Sequence, residues 1–103
     1  MQYQLVIQID GDSLDDYDLM IAFENELIEV LGDSASVDGH DVGSGEINIF
    51  IFTSDPARTF GLVRPVLQRT QRFGSVTVAY RAVDGDDYTV IWPEGSNRRF
   101  RVA

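Results

Sequence analysis

The chain has 103 residues, 44% of them hydrophobic, and a formal net charge of −9 at pH 7. This length and composition fit one globular domain with a real core and argue against intrinsic disorder. The absence of cysteine excludes disulfides and thiolate metal sites, and no apolar run reaches the ~20 residues of a membrane-spanning helix. The first residues lack the features of a signal peptide, so we expect a cytoplasmic protein that does not bind a membrane.

The charge is divided unevenly along the chain. The first 57 residues carry thirteen acidic and no basic side chains, a charge of −13. The remaining residues carry eight arginines and four acids, a charge of +4. Such asymmetry indicates complementary faces within one fold, a charged partner, or head-to-tail assembly.

The N-terminal third predicts a strand followed by a helix. Residues 2–9 alternate between polar and apolar side chains, as in a strand with one face on a core. Ser13 is a candidate N-cap of a helix that ends at Leu31, before Gly32 as C-cap. The predicted core stripe of this helix is Met20, Phe23, Leu27, Val30 and Leu31, widened by Tyr17, Ile21 and Ile28.

The middle of the chain predicts a hairpin and a second helix. Residues 35–41 form a weak edge strand, residues 43–45 a glycine-rich turn, and residues 47–52 a central strand that is apolar on both faces. Asp55 and Pro56 mark the start of a helix to about residue 72, in which Gly61 and Pro65 predict a kink or a late start. Its predicted inward residues are Phe60, Val63, Val66, Leu67 and Thr70.

The last third completes an α+β fold. Residues 75–83 and 88–92 are strands joined by a turn at residues 84–87, Pro93 ends the second strand, and residues 93–103 form a basic tail. The order β-α-β-β-α-β with an extra C-terminal strand predicts a single ferredoxin-like domain over residues 1–103. Both helices should lie on one face of an antiparallel sheet.

Helices on one side leave the opposite sheet face open. An apolar patch on such a face favours self-association or ligand binding, unless the extra strand or the Phe100 tail folds over it. One of Ile91 and Trp92 is expected on this face. The candidate binding residues are Val6, Phe50, Phe52, Ala79 and Trp92.

The only histidine, His40, lies in a glycine-rich, acidic stretch. With Asp38, Asp41, Ser44 and Glu46 it forms a candidate loop site for acid–base chemistry or a metal ion. One histidine without cysteine falls short of the usual zinc ligand set, so a polar hairpin turn is favoured. We assign no catalytic residue, metal or cofactor.

Three other motifs favour structural roles. Residues 10–16 are acidic but fail the spacing of an EF-hand, which leaves a turn and helix cap. Residues 43–46 lack the lysine and following helix of a phosphate loop, and Ser44 lacks the strand-to-helix elbow of a nucleophile. The arginines of the second helix are better explained by pairing with the acidic first helix than by nucleic acid binding.

The pattern Asp-Gly-His-Asp-x-Gly-Ser-Gly-Glu-Ile-Asn-Ile-Phe from Asp38, followed by Thr-Ser-Asp-Pro, resembles a feature of small uncharacterised bacterial proteins. The resemblance is confined to residues 38–56, names no family and implies no activity. We therefore expect a small non-catalytic binding or regulatory protein that acts on a protein partner or on itself through the open face. The alternatives are an acidic immunity protein that neutralises a basic toxin such as a nuclease, and an enzyme that uses the His40 loop.

Overall fold

The computed structural model describes residues 2–10, 14–43, 45–69 and 76–93, together with residues 95 and 100. These residues form two helices and five strands in the predicted order, which confirms the α+β class. The elements are β1 (Tyr3–Asp10), α1 (Leu14–Leu31), β2 (Ser36–Gly43), β3 (Glu46–Thr53), α2 (Pro56–Arg69), β4 (Val76–Ala82) and β5 (Thr89–Trp92).

The five strands form one sheet in the order β2-β3-β1-β4-β5. Every neighbouring pair is antiparallel. β1 lies in the middle, between β3 and β4, and the predicted edge strand β2 lies at one edge. The apolar residues of β3 therefore have a strand on each side, as their two-faced pattern predicts.

One face of the sheet carries the main core. In its centre, Ile7 of β1 lies between Ile49 of β3 and Val78 of β4, and all three side chains are fully buried. Helices α1 and α2 pack together on this face, because their buried residues belong to the same cluster as the sheet. Each such side chain contributes about 1.5–3 kcal/mol through burial, so this layer holds the fold together.

Helix α1 confirms most of its predicted stripe. Met20, Phe23, Leu27 and Leu31 are buried, and Gly32 adopts a φ of 52° while its N–H donates to the Ile28 carbonyl. Val30, which was predicted to face the core, is 38% exposed. Ile28 is 51% exposed. The 100° step of a helix places these two residues on opposite flanks of the Leu27–Leu31 row. The side chain of Tyr17 and the cap at Ser13 lie outside the described residues.

Helix α2 starts at Pro56 and continues through Gly61 and Pro65 to Arg69, so the late start is wrong. The Asp55 carboxylate accepts a hydrogen bond from the Arg58 N–H at 3.1 Å and caps the first turn. Pro65 lacks the N–H that would bond the Gly61 carbonyl, and Gly61 is exposed, so water can satisfy that carbonyl. The predicted inward residues up to Leu67 are buried, and Thr70 lies outside the described residues.

Strand β2 contains a bulge near its middle. Val37 pairs with Ile51, but the register shifts before Gly39, whose φ of 151° is one that other residues rarely adopt. His40 then pairs with Ile49. Without the shift, successive side chains would alternate between the two faces of the sheet, and the His40 side chain would lie on the face opposite to that of Val37. The bulge instead places both on the helix-covered side.

Candidate functional site

The sheet face opposite the helices is covered at its centre. Val6 lies between Phe50 and Ala79 in the sheet, and both Val6 and Ala79 are fully buried. Phe100, 8% exposed, completes this second cluster, and its ring lies 4.8 Å from that of Tyr88. Phe100 therefore covers the middle of the face that the sequence predicted to be open.

Trp92 does not lie on this face, so that part of the prediction is wrong. The β4–β5 register shifts between Val78, which pairs with Trp92, and Ala79, which pairs with Val90. The Trp92 ring packs on the helix side, 6.2 Å from the ring of Phe60. Val90 takes the expected place beside Ala79. The register of a strand that follows a turn is not visible in a single alternating pattern.

A polar row lies beside the Val6 cluster. Gln8, Asn48 and Thr77 are neighbours across β1, β3 and β4, and they are 3%, 1% and 5% exposed. The Gln8 side-chain amide donates to the Asn48 side-chain oxygen at 3.0 Å. Glutamine in an alternating strand predicts a solvated side chain, so the local pattern does not indicate a buried polar row here. Buried and hydrogen-bonded, it fixes the register of the three central strands.

A cleft of about 590 Å³ opens at one end of the sheet, where β1 begins, α1 ends and β3 ends. Its apolar lining comes from Ile28, Val37 and Phe52, and its polar lining includes Asp33 and several hydroxyl groups. Phe52 lies on the same sheet face as Phe50, so it belongs to both the cleft and the candidate binding face. We name this the Phe52 cleft. The sequence alone does not predict this cleft, because its lining residues come from distant segments.

His40 meets a different partner from those in the candidate loop. Its Nδ1 lies 3.0 Å from a carboxylate oxygen of Glu24 on α1. Asp38 and Asp41 are exposed in β2, Glu46 pairs with Gly43 at the start of β3, and Ser44 lies outside the described residues.

The glycine-rich stretch is a strand up to Gly43, which confirms the edge strand predicted over residues 35–41 and places His40 in that strand and not in a loop. Among the described residues, no three His, Asp or Glu side chains come together in a group that could hold a metal ion. The His40 side chain therefore links β2 to α1, with the Glu24 carboxylate as its hydrogen-bond partner.

The exposed charges of α1 and β2 are of one sign. Asp18, Glu29, Asp38 and Asp41 are all exposed. Arg69 of α2 pairs with one α1 carboxylate, that of Glu26. That contact confirms the predicted pairing for Arg69, but it leaves α1 and β2 acidic. Asp41 pairs with Asn48, so it lies on the sheet face opposite α1, and the exposed carboxylates lie on both sides of β2. We call these exposed carboxylates together the acidic surface.

A second arginine of α2 has a partner other than α1. The Arg64 guanidinium lies 4.9 Å from the centre of the Trp92 ring, close enough for a cation–π contact. It therefore stabilises the packing of β5 against α2. The acidic surface is not neutralised by it.

Comparison with known proteins informs the fold and not the function. No protein-family model matches the chain. No curated protein matches it either. Among solved structures it is similar to the de novo designed protein Foldit4, with a TM-score of 0.57 and 17% identity over 84% of this chain and 100% of the designed one. At this identity the likeness shows the fold alone. These findings agree with the lack of a named family, and the resemblance of residues 38–56 to bacterial proteins stays a prediction.

Within the described residues, neither helix combines the length and the apolar character needed to cross a bilayer.

Proposed function

We propose that this chain is a small non-catalytic binding protein whose partner is another protein, and that it binds through the Phe52 cleft and the adjoining sheet face. One observation carries this proposal. Phe52 stays partly exposed at the cleft, whereas Val6 and Ala79 in the middle of the same face are fully buried. Part of the predicted binding face is thus left accessible beside the centre that Phe100 covers.

The make-up of the cleft supports protein binding. Ile28, with 51% of its surface exposed, lies in the same cleft as Phe52 and Val37. Serine, threonine and aspartate residues also line the cleft, and most of its lining is polar. Mixed apolar and polar surface of this kind is found at protein–protein interfaces. The only histidine is not among the cleft-lining residues, which supports binding over acid–base chemistry.

We infer further that the fold is the ferredoxin-like sandwich, with β5 added beside β4. The order β2-β3-β1-β4 supports this inference, since α1 connects β1 to β2 and α2 connects β3 to β4. This fold hosts many unrelated functions. The fold therefore does not favour one binding partner over another, and any such preference comes from the surface residues.

A second candidate function is inhibition of a basic protein, as an immunity protein would neutralise a basic toxin nuclease. The acidic surface supports this function, because exposed carboxylates attract a basic partner and so speed its association. Self-association through the sheet face is the other form of the binding proposal. Phe100 leaves less apolar surface there for a second copy.

The proposal is tested by placing a photo-crosslinking amino acid at position 52. Position 68 is the control, because Gln68 is exposed near the far end of α2. Position 52 should give a discrete cross-linked species and position 68 none. Light scattering at several concentrations then separates a homodimer from a complex with another protein.

The partner identified in this way is purified and its affinity measured. A Phe52→Ser variant should bind at least about tenfold more weakly, as for an interface anchor, while Gln68→Ser binds within about twofold of the parent. Equal effects of the two substitutions, or no cross-link from either position, would contradict the proposal.

A further inference from the structure

We propose that the Phe52 cleft receives an arginine or lysine side chain from a basic, extended segment of the partner protein. This inference rests on the proposed function and adds the chemical class of the partner. Three properties of the cleft support it: the apolar groups in its wall, its position at the end of α1, and the sign of the charges around it.

Part of the cleft wall is apolar, although polar groups make up the larger share of the lining. Ile28 projects from α1 with half of its surface exposed, and Val37 of β2 and Phe52 of β3 also line the cleft. Arginine and lysine carry long apolar stems that pack on such surfaces while their charged ends stay hydrated. A volume of about 590 Å³ exceeds that of one side chain, so the neighbouring residues of an extended segment also fit.

The end of α1 makes the cleft negative. Gly32, Asp33 and Ser34, which follow the helix, all line the cleft. The carboxyl end of a helix carries a partial negative charge, and the last turn of α1 has no basic residue to offset it. Asp33 adds a full negative charge at the same place.

The described part of the chain supplies no cation to the cleft from its lining. None of the described residues that line the cleft is basic. Arg81, on the adjoining face, is engaged elsewhere, because its guanidinium donates to the carbonyls of Ala82, Val83 and Gly85. An anionic segment would be repelled by Asp33. A cationic side chain is therefore the complementary occupant.

The test uses acetyl-Gly-Arg-Gly-Arg-Gly-amide as the probe and the same peptide with citrulline in place of arginine as its neutral control. Amide shifts in NMR spectra of the full chain are recorded at low salt. We expect shifts concentrated at residues 28–37 and 52–54 with the arginine peptide, and none with the citrulline peptide. Shifts spread over the whole acidic surface would overturn the proposal, because they would indicate non-specific charge attraction.

Two variants of equal charge change sharpen the test. Asp33→Asn, in the cleft, should weaken the binding of the arginine peptide at least about threefold. Asp41→Asn, at the other end of β2, should leave its affinity unchanged. Equal weakening by both variants would overturn the proposal.

The arginines of the C-terminal tail are a competing occupant. If the peptide binds only after Arg98, Arg99 and Arg101 are replaced by glutamine, the cleft serves the chain's own tail and the partner proposal is overturned. If the peptide fails while position 52 still cross-links to a partner, the binding function stands and only the basic specificity is wrong.

Discussion

Replacing Phe100 with alanine measures how firmly the C-terminal residues cover the sheet. The Phe100 ring is 8% exposed, lies 4.8 Å from the Tyr88 ring, and packs with the fully buried Val6 and Ala79. Truncation of a buried phenylalanine to alanine costs about 3–5 kcal/mol. Since this cluster is small and can partly relax, we expect the low end, about 3 kcal/mol. That is a large share of the roughly 5–15 kcal/mol that stabilises a domain.

The assay is equilibrium unfolding in urea, followed by the fluorescence of Trp92, the only tryptophan. With a urea dependence of about 1–3 kcal/mol/M for small proteins, the midpoint should fall by about 1–3 M at an unchanged slope. Val83→Ala is the matched control. Val83 is 44% exposed, so its truncation should change the free energy of unfolding by less than about 0.5 kcal/mol.

A second measurement separates covering from mere stabilisation. Loss of the ring uncovers Val6 and Ala79, so the Phe100→Ala variant should bind a hydrophobic dye and self-associate as its concentration rises. A loss of less than about 1 kcal/mol with unchanged dye binding would refute the reasoning. The sheet face would then be open as the sequence predicted, and a dimer through Phe50 and Phe52 would become the leading proposal.

Two further predictions concern polar contacts. Asn48→Leu removes the oxygen that accepts the hydrogen bond of the Gln8 amide, at a site where both residues are at most 3% exposed. Urea unfolding should therefore show that the free energy of unfolding falls by about 1–3 kcal/mol. A stabilised variant would contradict the role given to this pair. Arg69→Gln breaks the ion pair with Glu26, in which the Arg69 side chain is 59% exposed and the Glu26 side chain 39%. Thermal unfolding should show that the free energy of unfolding falls by less than about 1 kcal/mol, and this difference should disappear in 1 M salt. A loss that persists at high salt would mean that Arg69 acts through packing.

Local patterns were enough to predict the elements and most of the core. The Gly32 stop of α1, the Asp55 cap of α2 and the inward row of α2 from Phe60 to Leu67 all follow from short-range rules, and the structure confirms them. These rules work because they describe contacts within one or two turns of a helix. The class of the fold then follows from the order of the elements.

What the sequence did not predict depends on contacts between distant residues. A bulge decides that His40 faces α1 and meets Glu24, sixteen positions earlier in the chain. A register shift decides that Trp92 joins the helix side. The Phe52 cleft needs the ends of several elements to meet. None of these contacts leaves a period or spacing in the local sequence.

The bulge in β2 also has a consequence for how copies of this chain meet in concentrated solution. An edge strand with regular free N–H and C=O groups is a template for adding strands from other molecules, and so for aggregation. In β2 the bulge interrupts that template, and the exposed Asp38 and Asp41 repel a second acidic copy. The opposite edge strand, β5, has four residues and is followed by Pro93, which has no N–H to donate. Both edges thus resist growth into fibres, and the proposed binding would use side chains and not the addition of a strand.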